Sequence, residues 1–191
     1  MKTIFSIILL SAFCVIYPQS KLQVGLGYDL VFPLGELDDI AGTGHNWSVF
    51  AEYPIAPQWG VQLITGYMII PVNEFSVAIQ GRVITFDIKS IPIKGALKYY
   101  LYDNFFFQAE AGVSFVKTAA EFTDSYGETD TESEDFEAMF TAGGGIGGSF
   151  SLTDKSMLNL SGKYMFLDGG DISFDLNHFL IGAGLVLLID L

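Results

Sequence analysis

Apolar and polar residues alternate along most of this chain. From Leu22, LQVGLGYDLVF places Leu22, Val24, Leu26, Tyr28, Leu30 and Phe32 on one face, against Gln23, Gly25, Gly27, Asp29 and Val31 on the other. A period of two is the mark of an extended strand whose faces meet different surroundings. NWSVFAEYPI repeats it, with Trp47, Val49, Ala51, Tyr53 and Ile55 opposite Asn46, Ser48, Phe50 and Glu52. So do IPIKGALKYYL from Ile91, FFFQAEAGVSF from Phe105 and MLNLSGKYMF from Met157. With less regular runs near 59–69, 136–152 and 176–191, eight strands are predicted. No segment of comparable length carries a helical apolar stripe. Most runs match the roughly 9 to 11 residues of a tilted membrane strand, above the roughly 5 to 6 typical of soluble sheets.

The connections alternate in length. Short turns fall at APQ (56–58), YDN (102–104) and TDK (153–155), and longer links lie at 34–44, near 71–84, around 118–135 and at 168–175. Short turns at one end and long loops at the other is the plan of an outer-membrane barrel. With an even strand count, both termini of the barrel fall on the short-turn side. Tyr53 and Trp59 flank the first short turn, Tyr99, Tyr100, Tyr102 and Phe105 to Phe107 the second, and Phe150 precedes the third. Aromatics gathered at one end of three hairpins suit a girdle at a membrane interface.

TAGGGIGGSF, residues 141–150, matches G-x-G-x-x-G through Gly143, Gly145 and Gly148. A dinucleotide fingerprint needs a strand, a glycine turn and then a helix facing the pyrophosphate. Here the alternation continues through the glycines to another turn, and no helix follows. The glycines are expected to relieve crowding inside a strongly curved small barrel. No cofactor site is expected.

The 191 residues suffice for one domain, and at 50% hydrophobic and 16% charged the chain is too apolar for a disordered one. A formal net charge of -13 excludes the electrostatic footprint of a nucleic-acid binder. It suits basic or neutral partners, or divalent cations. MKTIFSIILLSAFCVIYPQS, residues 1–20, has Lys2, then an apolar stretch from Ile4 to Tyr17, then Pro and polar residues, the order of a cleaved secretory signal peptide. Its apolar stretch is shorter than the roughly 20 residues of a spanning helix. Phe13 stands where a lipoprotein signal would have a small residue before Cys14, the single cysteine. The mature chain is therefore expected to have no disulfide, cysteine metal site or thiol nucleophile.

The signal segment, the eight alternating runs, the opening LQVGLGYDL and the closing FLIGAGLVLLIDL together resemble the eight-stranded outer-membrane barrels, the porin-family group that includes the OmpA transmembrane domain and OmpX. The resemblance spans about residues 22–191. It implies an all-β, eight-stranded antiparallel up-and-down transmembrane β-barrel in the outer membrane of a Gram-negative-type bacterium. Outer-membrane lipid and the barrel-assembly machinery are the implied partners, although the chain ends Ile189, Asp190, Leu191 rather than on an aromatic residue.

In such a barrel the phase of each strand assigns its charges. Asp29, Glu52, Lys94, Lys98, Glu110 and Lys163 alternate away from the apolar face and are expected to point into the lumen, forming an ion-pair and hydrogen-bond network that plugs it. Unpaired charges there would be costly. A narrow ion or proton path through the same residues is the alternative use of them. The run 121–137 carries Glu121, Asp124, Glu128, Asp130, Glu132, Glu134, Asp135 and Glu137 with no basic residue. It reads as a solvated external loop; divalent cations are the possible ligands, but the spacing is not that of a calcium loop.

Catalysis is not expected. His45 and His178 are the two imidazoles, and neither has a Ser or Cys beside it. The lipid A deacylases on this fold use a His-x-Ser pattern, whereas Phe179 and Leu180 follow His178. The expected role is structural or surface-interacting, through external loops. The alternative, a soluble exported barrel holding a small apolar ligand, would need apolar residues inside and polar ones outside.

Overall fold

The computed structural model describes residues 21–35, 38, 40–72, 83–102, 104–123, 129–133, 135–168 and 176–190. Residues 1–20, read above as a signal peptide, lie outside them. Among the described residues there are nine strand segments: β1 (Leu22–Pro33), β2 (Gly44–Ala56), β3 (Trp59–Val72), β4 (Val83–Tyr102), β5 (Phe105–Thr123), β6 (Thr129–Ser133), β7 (Glu137–Thr153), β8 (Ser156–Asp168) and β9 (His178–Ile189). Every pairing is antiparallel, and β1 pairs with both β2 and β9 while β4 pairs with β5. The sheet therefore closes on itself as an eight-stave up-and-down barrel, with no free edge along its wall. β6 is an addition to the eight: it pairs with β5 above the point where β7 leaves it.

The short turns fall where the alternation stops, between Ala56 and Trp59, Tyr102 and Phe105, and Thr153 and Ser156. A register irregularity precedes each of them, at Pro54/Ala56, Tyr100/Tyr102 and Ser151/Thr153. Turn carbonyls extend the neighbouring ladders: Gln58 accepts from the Tyr100 amide at 2.8 Å and Asn104 from the Ser149 amide at 2.7 Å. These bonds carry the backbone pairing past the strand ends to the rim.

The other end departs from the expected loops. The 118–135 link is largely strand, because β5 runs on to Thr123 and β6 folds back against it, pairing Ala119 with Ser133 and Thr123 with Thr129. β4 and β5, with 20 and 19 residues, are about twice the length that crosses a bilayer. They form a hairpin that rises beyond the rest of the wall.

The interior is layered rather than uniformly polar. Its short-turn half carries the charged side chains. Its long-loop half packs Val31, Met68, Ile70, Ile88, Val116, Met139, Met165, Leu167 and Leu180 into one buried apolar cluster. These residues share the inward phase of the charges, but sit further along each strand. Alternation fixes the face of a residue and not its height, so the six expected charges account for one half of the interior and the apolar cluster for the other.

Candidate functional site: the lumenal ion pairs

All six predicted charges point inward. Asp29, Glu52, Lys94, Lys98 and Glu110 are buried, with Glu52 at 0% exposure, and the Lys163 side chain is 12% exposed. They stand as three pairs. Lys98 Nζ donates to Glu52 Oε2 at 2.8 Å, Lys94 Nζ donates to Glu110 Oε1 at 2.9 Å, and Lys163 Nζ lies 3.6 Å from Asp29 Oδ1. The last is an ion pair at a separation too long for a good hydrogen bond.

Neutral residues complete the arrangement. Tyr100 donates its hydroxyl to Glu52 Oε1 at 2.5 Å, Gln108 Nε2 donates to Glu110 Oε2 at 3.0 Å, and Asn46 Nδ2 donates to Asp29 Oδ2 at 2.7 Å. Each carboxylate therefore has one cation and one neutral donor, so both oxygens are engaged. The Lys98 ammonium also lies over two rings, 4.4 Å from the Phe106 centroid and 5.7 Å from that of Phe50. Tyr100 and Phe106 were expected in the interface girdle; they share the inward phase of Lys98 and Glu110 and lie against the lumenal Glu52 and Lys98 instead. Gln108, Asn46 and Phe50 have the same inward phase, but without a charge they did not stand out in the sequence.

Glycine decides which charges can meet. Glu52 on β2 and Lys98 on β4 are separated by β3, where Gly60 stands directly opposite Lys98. A Cβ on Gly60 would sit 2.5 Å from Glu52 Oε1. Asp29 on β1 and Lys163 on β8 are separated by β9, where Gly182 is opposite Asp29 and its Cβ would collide with Asp29 Oδ1. Each strand-skipping pair thus crosses a glycine. The glycine motif has the same explanation. Gly143 and Gly145 point inward beneath the Met165 and Lys163 side chains, at 2.5 and 2.7 Å from where their Cβ atoms would be, whereas Gly148 faces out beside Phe150. All three glycines lie inside β7, paired with β5 and β8 on its two sides, and β8 rather than a helix follows, so the motif is not a phosphate-binding turn.

A cavity of about 50 Å³ remains between the ion pairs, lined by Asp29, Ser48, Gln62, Lys98, Gln108, Asn159 and Lys163 among others. That is room for a water or two and not for an organic ligand.

The two histidines lie on opposite faces of the wall. His45 Nδ1 and the Tyr28 hydroxyl are hydrogen-bonded at 2.6 Å, and both rings pack with Trp47 on the exterior. His178 is buried and donates from Nδ1 to the Leu176 carbonyl at 3.0 Å.

Of the acidic run, Glu121 belongs to β5, Asp130 and Glu132 to β6 and Glu137 to β7, while Asp135 is exposed between β6 and β7. Asp124, Glu128 and Glu134 lie outside the described residues. Among the described residues no group of three or more His, Cys, Asp or Glu gathers in a metal-binding arrangement.

The exterior inverts the usual distribution. Leu26, Leu63, Ile146 and Leu187 are 55 to 64% exposed, and Val49, Val61, Ile93, Phe107, Phe140, Leu160 and Ile181 stand beside them around the wall. A band of large apolar side chains outside and paired charges inside is stable where the surrounding medium is hydrocarbon. At the short-turn rim, Trp59 and Tyr99 pack at 4.8 Å between ring centroids. The Tyr28, His45 and Trp47 cluster stands nearer the opposite end.

Solved structures share this architecture. Neisserial surface protein A aligns with a TM-score of 0.54 at 12% identity, over 88% of this chain and 96% of that one. A major outer membrane protein from Thermus thermophilus aligns at 0.53 and 11% identity, over 88% and 99%. Ail, the attachment invasion locus protein of Yersinia pestis, solved in complex with the heparin analogue sucrose octasulfate, aligns at 0.50 and 15% identity, over 88% and 97%. No family model matches the chain, and no curated protein matches it. The fold is that of the eight-stranded outer-membrane β-barrels.

Proposed function

We propose that this chain is a small integral outer-membrane protein, exported through its signal segment 1–20, with a closed lumen and a surface-interaction role at its long-loop end. The observation that carries the reading is the inversion of polarity: Leu63 is 63% exposed while Glu52 is wholly buried. In water that arrangement would sacrifice apolar burial and desolvate charges as well. In a bilayer the apolar wall is solvated by lipid, and the internal charges are neutralised by their partners.

The closed lumen is supported by the three ion pairs in one half and the apolar cluster in the other. The surface role is supported by β4 and β5 with β6, whose strands carry Glu121, Asp130 and Glu132 of the acidic run at the long-loop end. A basic or cation-bridged partner is the electrostatically suited one. Among the described residues no arrangement supports a catalytic role for either histidine.

Protease treatment of intact cells tests the orientation and the surface placement together. A glutamate-specific protease cuts within 121–137 while the rest of the barrel stays whole. Protection of this run until the outer membrane is permeabilised would overturn the reading.

A further inference from the structure

The nine lysine and arginine residues are distributed unevenly. Lys94, Lys98 and Lys163 face the lumen, Lys21 and Lys155 lie at the short-turn end, and Lys2 and Arg82 are outside the described residues. Lys89 and Lys117 are then the described cations on the long-loop half of the exterior. They are directly opposite each other across the β4–β5 pair, and both share the outward phase of Ile93 and Phe115. Like charges directly opposite each other destabilise a sheet, and a nearby negative charge offsets the repulsion. Asp87 answers part of this, with Oδ2 at 3.7 Å from Lys89 Nζ, and Lys117 Nζ lies 4.9 Å from the Phe136 ring centroid. With Asp87 offsetting one of the two charges, the described side chains here still leave one net positive charge, on a chain of net charge -13.

Height identifies what could meet it. Lys117 is twelve positions along β5 from Phe105 at the short-turn rim. At roughly 3.3 Å per residue and a tilt of about 40°, that is about 30 Å, the thickness of a hydrocarbon core. Below the pair the exterior is apolar, with Val113, Phe115 and Ile93 exposed. Resting on the membrane reading above, we propose that Lys89 and Lys117 form a clamp for the phosphate headgroup of an outer-leaflet lipid, whose acyl chain lies along Ile93, Val113 and Phe115. The lysines act as point charges on the phosphate oxygens.

Native mass spectrometry of the full chain, folded in neutral detergent and titrated with phosphatidic acid or phosphatidylcholine, tests this clamp. Wild type retains phosphatidic acid preferentially, and Lys89→Gln with Lys117→Gln lowers that retention about thirtyfold without changing phosphatidylcholine retention. Lys89→Arg with Lys117→Arg keeps the preference, as does Lys21→Gln with Lys155→Gln. Inorganic phosphate at the same concentration displaces no lipid. Equal retention by the double-Gln protein, or displacement by inorganic phosphate, would overturn the clamp. Each sample is first checked for heat-modifiable electrophoretic migration. Wild type that migrates as a folded barrel yet shows no preference refutes the clamp alone, whereas wild type that never migrates so refutes the membrane reading beneath it and the clamp with it.

Discussion

Asp29 and Gly182 face each other across the β1–β9 pair, and the Asp29 carboxylate occupies the space that a side chain at 182 would need. Gly60 stands in the same relation to Glu52. Both carboxylates lean over a neighbouring strand to reach a lysine on the next one, Lys163 and Lys98 respectively. The glycines are what let a tightly curved sheet hold ion pairs that skip a strand.

Substituting alanine at either glycine forces the carboxylate aside in a packed interior. Gly182→Ala and Gly60→Ala should each destabilise the barrel by about 1–3 kcal/mol. Gly95, where a Cβ would meet nothing within 4 Å, is the control, and Gly95→Ala should be close to neutral. Urea unfolding in lipid vesicles, followed by tryptophan fluorescence, measures all three.

The Glu52 and Lys98 pair should show strong coupling. Lys98→Met leaves a fully buried carboxylate with only the Tyr100 hydroxyl, and Glu52→Gln leaves a buried ammonium between two rings. Each single change should cost about 3–5 kcal/mol, and the double variant should recover much of it. A double-mutant cycle on unfolding free energies gives the coupling directly; additive losses would mean the pair is not a unit.

A charge on the outer wall distinguishes lipid from water as its solvent. Leu63 is 63% exposed and Leu26 64%. On a water-facing surface Leu63→Lys or Leu26→Lys would be nearly neutral. Against the bilayer midplane each should cost about 2–4 kcal/mol. Unfolding from vesicles reports the difference.

Planar-bilayer recording should show no large, stable conductance from the wild type, because ion pairs fill one half of the lumen and apolar side chains the other. Sustained openings would contradict the closed lumen.

Much of the fold was legible because a wall between lipid and lumen forces alternation. The short turns at 57–58, 103–104 and 154–155 end that alternation abruptly and could be read from it. The 118–135 region could not, because its acidic composition masked strands whose partner is β5 itself. For the lumen, phase told which side Lys98 and Glu52 face, but not that they meet across β3. That depends on register and on Gly60, which a single strand does not reveal. The apolar upper interior was missed for the same reason: Val31 and Met165 read as exceptions on a polar face, although seven strands contribute to one cluster.

Electrophoresis of the outer-membrane fraction in detergent, unheated against boiled, tests the central claim most directly. A closed barrel resists unfolding by detergent until heated, so two mobilities are predicted, with the protein in the outer-membrane fraction. A single mobility, with the protein in the soluble periplasmic fraction, would contradict it.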